Sequence, residues 1–546
     1  MTIEFEVSEV LKEHGVSKIA IEDLTLVVVY QNKPIRSTIY RNDFNKTTKF
    51  LEKAFRLHFL NNETIQAIIL IISKGWHNII GDNNEQNTKK EDEEILKVIE
   101  ELRKTKISQE EWLTKLSDKH QALFNVVNKN IPNLWPILEF SLSIKSILNI
   151  KDCTLPFAGI ILGPPSSLKT TAIELFRGWP QTYYTDNFTP KSFVSHSTAV
   201  TREQLAEIDM LPKIKNKFFL TPELAPTFSS KDDDLIQVLG ILTRVLDGHG
   251  YESDTGAHGH RGYSEDIMFA QIGAAVDIPY KVYKHLTTLG PKIYFYRLSR
   301  AGMKEEECYN HLNDDFGKKI REIKDALFDY LKWFEIGPQT IHEDGNLLPK
   351  VQWEYEKDDD LAKRYIYRLA QLLSHLRGVV PTWHTNDTQG SDYAYAISTI
   401  EEPERARTQL YNLARGHALI KGRNWITTED ISIVIKVVLS TASIERVTIF
   451  DLLIAHNGIL TTSQICASLN ITNHTAHRTM AELKALELVR ETEAKGEQQN
   501  SEKQIILKPE FDWFLSEDFS KLRQGFTPED NNDFISKSHS IKGNSN

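Results

Sequence analysis

The chain has 546 residues, 40% of them hydrophobic and 26% charged, with a net charge of −10 at neutral pH. That length allows roughly two to four domains with sizeable cores, and the acidic balance excludes a chain that coats nucleic acid nonspecifically, so any nucleic-acid surface is a local patch. Cys153, Cys308 and Cys466 stand far apart, which excludes a disulfide framework or a cysteine-rich metal module and suits a reducing, cytoplasmic compartment.

The first residues, MTIEFEVSEV, are charged early and lack the apolar stretch of a secretory leader. The most apolar run, TIQAIILIIS at 64–73, is too short to span a bilayer, so no membrane partner is expected. Residues 1–80 read as a mixed α/β module. The run 19–30 is β-branched and strand-prone, 37–41 is placed to pair with it, and 46–60 repeats apolar residues at helical spacing. Residues 81–150 open with the polar run GDNNEQNTKKEDEE, read as a linker or long loop, and continue in helical stripes at 95–102 and 112–127. Nothing in 1–150 carries recognisable chemistry, which leaves this region for a protein partner or substrate.

Residues 151–300 alternate strand-like and helix-like runs, the pattern of an α/β fold with a parallel sheet. The apolar run FAGIIL leads into Gly163, Pro164, Pro165, Ser166, Ser167, Leu168, Lys169, Thr170 and Thr171. This is the Walker A spacing G-x-x-x-x-G-K-[ST], with Leu168 in place of the second glycine. Gly163 permits the turn, and the backbone N–H groups face phosphates at the start of a helix. Lys169 is spaced to reach the β/γ-phosphates and Thr170 to set its hydroxyl on Mg²⁺, so ATP and Mg²⁺ are the expected ligands. Leu168 is the departure, because a side chain disfavours the positive φ that glycine allows. The alternative is an ordinary strand-to-helix turn with a solvated lysine.

Further on, KFFLTPELAP at 217–226 gives a short apolar strand followed by Glu223, placed to polarise an attacking water or to cap the turn. Pro222 stands where an Mg²⁺-binding aspartate is expected, and Asp209 and Asp186 are the candidate substitutes. Two more apolar strands follow, one at 267–279 holding Asp277 and one at 292–296 preceding Arg297 and Arg300. Residues 301–445 are mostly helical and charged.

The order of P-loop, strand ending in Glu223, strand ending in Asp277, basic residue and helical block resembles the AAA+ ATPases over about 150–445. Within them it is most similar to the minichromosome-maintenance (MCM) helicase branch, which also carries a small non-glycine residue before the P-loop lysine. LARGHAL at 413–419 and TTED at 427–430 resemble lid elements of that branch. The resemblance implies an α/β P-loop AAA+ core with a parallel sheet at 151–300 and a helical lid at 301–445. It makes Lys169 and Thr170 the phosphate and Mg²⁺ contacts and Glu223 the catalytic glutamate. Asp277 falls in the sensor-1 slot, where the family has asparagine. Lys292 falls at the arginine-finger position, with Arg297 the better phosphate ligand chemically, and Arg405 at the sensor-2 distance before His417. A finger acting in trans implies a homo-oligomeric ring, a hexamer. MCM-like proteins place a DNA-touching hairpin where this chain has DGHGYESDTGAHGHRGY at 247–263, which offers His258, His260 and Arg261. A solvent-exposed turn and an H-x-H metal site are the alternatives there.

Residues 446–513 hold three short helical patterns and a strand pair, and resemble a winged helix-turn-helix. Ile449, Leu452 and Leu453 face inward on the first helix, Thr462 or Ser463 caps the second, and Asn473 or Thr475 opens the third. Such a third helix enters the major groove, which makes Asn473, His474, His477 and Arg478 base-edge candidates. Lys484, Arg490, Lys495 and Lys503 are then phosphate candidates. The acidic Glu491, Glu493 and Glu497 in the wing fit a protein-contact role instead. Residues 514–546 read as a tail, disordered at its end. The functional expectation is an ATP-dependent, DNA-associated motor or remodeller of MCM-helicase type. The alternative is an ATP-binding, transcription-type regulator whose winged helix binds DNA or a protein without translocation.

Overall fold

A computed structural model describes residues 2–5, 16–22, 25–30, 33–38, 68, 107–195, 205, 207–255, 259–289, 292–298, 315–337, 339–341, 347–387, 390–395, 397–495 and 501–524. The helical repeat expected at 46–60, the run 64–73 apart from Ile68, the polar run 81–94, the stripe 95–102, His258, Arg300, Cys308, Glu497 and the tail beyond 524 lie outside the described residues. The chain divides into two units, Met1–Val98 and Ile99–Asn546.

The first unit contains an antiparallel sheet of β1 (Thr2–Phe5), β2 (Val16–Glu22), β3 (Thr25–Tyr30) and β4 (Lys33–Thr38) in sequential order. The apolar run 19–30 is two paired strands rather than one, with Ile19 opposite Val28 and Ile21 opposite Leu26. β4 completes the pairing, Ser37 lying opposite Leu26. Ile19, Leu26 and Val28 are buried.

The second unit is built on β5 (Phe157–Leu162), β6 (Thr182–Tyr184), β7 (Phe218–Thr221), a hairpin of β8 (Glu252–Thr255) and β9 (Gly259–Gly262), β10 (Ala270–Ala275) and β11 (Ile293–Arg297). Five of these form one parallel sheet in the order β11-β5-β10-β7-β6. Helices cover both faces, which is why β5 and β10 are buried at every position. The expected α/β class with a parallel sheet is borne out.

One face packs on the helix Trp135–Ser146, where Phe140 stacks on Tyr296 with ring centroids 4.7 Å apart. The other packs on the helices Asp232–Val245 and Tyr280–Leu289, whose Leu239, Leu242, Val282 and Leu286 share a cluster with Leu162, Phe219 and Phe295. The helical part of 81–150 is therefore core structure, because its amphipathic faces are needed to cover the sheet and the later helices. Trp112 of the helix Gln109–Asn130 donates its indole N–H to Trp333 O of Phe316–Ile336 at 2.7 Å. Asp360–Leu376, Pro403–Ile420 and Ile431–Thr441 complete this helical layer. It also carries two hairpins, β12 (Gln339–Ile341) with β13 (Leu347–Pro349) and β14 (Thr382–Asp387) with β15 (Gly390–Tyr395). Phe295 N–H of β11 donates to Thr441 Oγ1 at 2.9 Å, so the layer is bonded directly to the sheet edge.

The C-terminal part has three helices, Ile444–Ala455, Thr462–Leu469 and Asn473–Ala485. Beside them β16 (Ile459–Thr461), β17 (Val489–Lys495) and β18 (Ser501–Leu507) form an antiparallel sheet in the order β16-β18-β17. Thr461 caps the second helix, one residue before the expected Thr462, by accepting from Gln464 N–H; the third helix opens at Asn473, and Thr472 caps it by accepting from Thr475 N–H. Part of the expected tail is packed structure. Pro509–Leu515 and the helix Glu517–Gln524 bury Phe511, Phe514 and Phe519, and Trp513 stacks on Tyr365 at 4.7 Å. No described helix is long and apolar enough to cross a membrane.

Candidate functional site

The loop after β5 lies at a change of direction in the sheet. The helix after β5, Lys169–Glu174, packs on the side of Trp135–Ser146, whereas the helix after β10, Tyr280–Leu289, joins the opposite cluster. Neighbouring strands whose helices leave to opposite faces open a crevice at their carboxyl ends. Gly163 N–H donates to Ala275 O at 3.3 Å, and a Cβ on Gly163 would meet Ser167 Oγ at 3.0 Å.

Ser166 and Leu168 both have φ 64°, with Ser167 between them outside that region. Alternating handedness of this kind turns successive N–H groups into one concavity, a nest for an anion. Leu168 adopts the conformation that its side chain disfavours, at a strain of roughly 1–2 kcal/mol. Leu168→Gly is therefore expected to leave the urea unfolding midpoint unchanged or higher. The isomeric Leu168→Ile, β-branched at positive φ, is expected to cost about 1 kcal/mol. Equal tolerance of both would mean that the loop in solution has another backbone.

Lys169 is buried, its ammonium donating to Gly163 O and Pro164 O at 2.7 Å each and to Ser167 Oγ at 3.1 Å. Burial lowers its pKa, and the Glu223 charge offsets part of that. Pro165, Ser166 and Thr170 are exposed, and Pro164, Ser167 and Thr171 half-buried.

Glu223 lies two residues beyond β7, its Oε1 accepting from Ala225 N–H at 2.9 Å. It thus caps the turn while its charge acts on Lys169. Asp209 does not replace the aspartate missing at Pro222. It is fully buried, and its carboxylate accepts from Ser195 N–H at 2.6 Å, Arg261 Nη2 at 2.9 Å and Tyr263 Oη at 2.9 Å. Asp186 accepts from Tyr184 Oη at 2.7 Å just past β6, three strands or about 14 Å across the sheet from β5.

The two edges of the sheet divide the remaining candidates. Asp277 and Arg297 stand at the carboxyl edge with the loop and pair at 3.2 Å. Lys292 and Arg405 gather around Asp247, at 2.6 Å each, where β11 begins. Burial pushes the Asp247 carboxyl up, but Lys292 and Arg405 outweigh it and hold its pKa below the usual value. The length of β11, about 16 Å, separates this cluster from the loop of the same chain. Asp247 was not among the sequence candidates, since a single acid in a glycine-rich run carries no signal of its own.

Arg261 requires a correction. It is buried against Asp209 and also donates to Ser195 O, so it anchors the base of the β8–β9 hairpin and is not presented to DNA. His260 is exposed between Glu252 and Asp254, at 3.3 Å from each, and hydrogen bonds to these carboxylates raise its pKa. Among the described residues no group of three or more His, Cys, Asp or Glu side chains could hold a metal ion.

On Asn473–Ala485, Ala476, Met480 and Leu483 face inward, while His474, His477 and Arg478 are exposed. Lys484 reaches Glu491 at 3.5 Å and Lys503 reaches the same carboxylate at 3.3 Å; Arg490 is exposed on β17. The helix's carboxyl end is docked on the helical layer, Leu486 O lying 2.7 Å from His375 Nδ1. Its amino-terminal half, which carries His474, His477 and Arg478, is left outward. No protein-family model matches the sequence, and no curated protein matches it.

Proposed function

We propose that the chain is an ATP-binding P-loop protein of AAA+ type, MCM-helicase-like, that couples nucleotide binding and hydrolysis to action on DNA. The reading is carried by one observation: a loop of Walker A spacing that holds two non-glycine residues at φ 64° beside a buried lysine. Backbone strain persists where the surroundings over-determine it, and it concentrates at ligand sites. The N–H groups of the loop take the phosphates, and Lys169 leaves its own loop carbonyls for the β/γ-phosphates. Thr170 and Glu223 are the residues that would hold Mg²⁺ and orient water; the ion, when bound, neutralises charge between the phosphates. Lys292 and Arg405 lie a strand's length from their own loop, which suits a homo-oligomeric ring in which each site is completed by its neighbour. The C-terminal helices and sheet have the element order of a winged helix, and their outward basic helix suits DNA.

One observation favours the second reading, an ATP-binding regulator. With Pro222 in the strand-end position, Asp209 sequestered and Asp186 remote, none of these three positions sets an acid beside Glu223 for Mg²⁺.

Steady-state ATP turnover with and without single- and double-stranded DNA tests both. Lys169→Ala is expected to weaken nucleotide binding about tenfold or more. Glu223→Gln is expected to keep binding and to lose about 100-fold in turnover. DNA-stimulated turnover supports the motor, and tight binding without turnover supports the regulator. A wild-type protein that binds no nucleotide overturns both.

A further inference from the structure

We propose that Arg297 is a γ-phosphate sensor acting within its own subunit, and that Asp277 is the carboxylate it leaves when a nucleoside triphosphate binds. This rests on the nucleotide reading of the loop 163–171.

The argument starts from strand order. β5 carries the loop and lies between β11 and β10. On one side Arg297 pairs with Leu162, the last residue before the loop, and Leu298 N–H donates to Leu162 O at 2.7 Å. On the other side Ala275 also pairs with Leu162, and Asp277 follows two residues later. β11 and β10 are two strand spacings apart, about 10 Å. The Arg297–Asp277 pair closes to 3.2 Å, so the two side chains bridge the carboxyl end of β5, at the root of the loop. Arg297 is in phase with Ile293 and Phe295 and out of phase with Tyr296, which places it on the sheet face opposite the helix Trp135–Ser146.

The bridge is built to be exchanged. It rests on a single contact at 3.2 Å, its Asp277 side chain is 69% exposed, and Asp277 Oδ1 is shared with Ile278 N–H at 2.9 Å. Water-exposed pairs of this kind are weak, whereas a guanidinium offers phosphate a charged fork. A diphosphate brings no γ-group to the bridge, and Arg297 stays with Asp277. A triphosphate sets an anion beside both residues, attracting Arg297 and repelling Asp277. The pair thereby reports on the third phosphate without a neighbouring subunit.

Calorimetric titration of the full chain with Mg²⁺-ADP and with a non-hydrolysable Mg²⁺-ATP analogue reads the exchange. Arg297→Ala is expected to weaken the triphosphate analogue about tenfold and ADP less than about twofold, with Arg297→Lys recovering part of the loss. Asp277→Ala removes the competing carboxylate and is expected to tighten the analogue about threefold or more. Thermal melting checks that each variant is folded, and the Asp277 variant carries the test alone where Arg297→Ala is not. Equal losses for both nucleotides, or no change in either variant, overturn the sensor while leaving the nucleotide site standing. Failure of the wild type to bind either nucleotide overturns both.

Discussion

Gly416→Ala is expected to lower the stability of the second unit by about 3 kcal/mol or more, although alanine is the better helix former by about 1 kcal/mol. A Cβ at this position would lie far inside van der Waals distance of Ser143 O and 3.0 Å from Ser146 Oγ, which itself donates to Gly416 O at 2.8 Å. The obstruction is backbone, so no rotamer change relieves it. The helix Trp135–Ser146 is also unable to retreat, because its other side rests on Gly159 of β5, where a Cβ would meet Phe140 at 2.8 Å and collide with Ile144. Gly159→Ala is expected to cost less, since flexible side-chain ends can yield. Gly240, midway along Asp232–Val245 with nothing within 4 Å of its would-be Cβ, is the control. Gly240→Ala is expected to gain up to about 1 kcal/mol. Urea denaturation of the three variants should therefore give a large loss, a smaller loss and a gain; an unshifted Gly416→Ala midpoint would show that the helices cross less closely.

The same crossing marks where the sequence stops being informative. A buried strand, a tight loop and a helix could be read from FAGIILGPPSSLKTT because each step follows from local chain physics, and Glu223 was findable because an apolar strand leads to it. The stripe at 112–127 is equally visible as an amphipathic pattern. Its place in the core was not legible, because periodicity says that a face is buried and not what buries it. Gly159 and Gly416 look like ordinary glycines in the sequence, since a close approach such as that of Gly416 to Ser143, 273 positions away, has no local signature. Arg261 was misread for a related reason: a guanidinium in a glycine-rich run looks solvated until Asp209, 52 positions away, is brought against it. Leu168 teaches the converse. Its intrinsic preference was read correctly and then overruled by the loop around it. The packed start of the tail did leave a trace, in the density of Phe511, Trp513, Phe514 and Phe519.

His417 is expected to be the most costly polar residue to remove. It is buried on Pro403–Ile420 with Nδ1 2.7 Å from Asp430 and Nε2 3.2 Å from Glu139. Carboxylates only accept, so both ring nitrogens must carry protons for both contacts to be hydrogen bonds, and the ring is an imidazolium. Burial alone would lower its pKa, but the bonds to Asp430 and Glu139 prevail and raise it. Burial raises the two acids in turn, and His417, helped by Lys421 at Glu139 and by Arg423 at Asp430, more than reverses this and holds each at about 2. Removing the cation leaves Glu139 with Lys421 at 3.5 Å and Asp430 with Arg423 at 2.8 Å, an incomplete compensation for two buried charges. His417→Ala should cost about 3–5 kcal/mol, the usual loss when one partner of a buried pair is deleted. The signs predict the pH profile. A raised histidine contributes fully below its unfolded value of 6.5, and that contribution disappears as pH climbs through the folded value. The depressed acids contribute above their unfolded values of 4.5 and 3.8 and lose this as pH falls towards about 2. His120, buried and lowered to about 4, adds a loss between 6.5 and 4, because only the unfolded chain takes up its proton there. Stability in urea should therefore decline on both sides of pH 6.5. His417→Gln, which keeps much of the volume without the charge, should lose the alkaline slope and retain the acid loss due to His120. An alkaline slope that survives His417→Gln would assign it to another group and remove the imidazolium from this network.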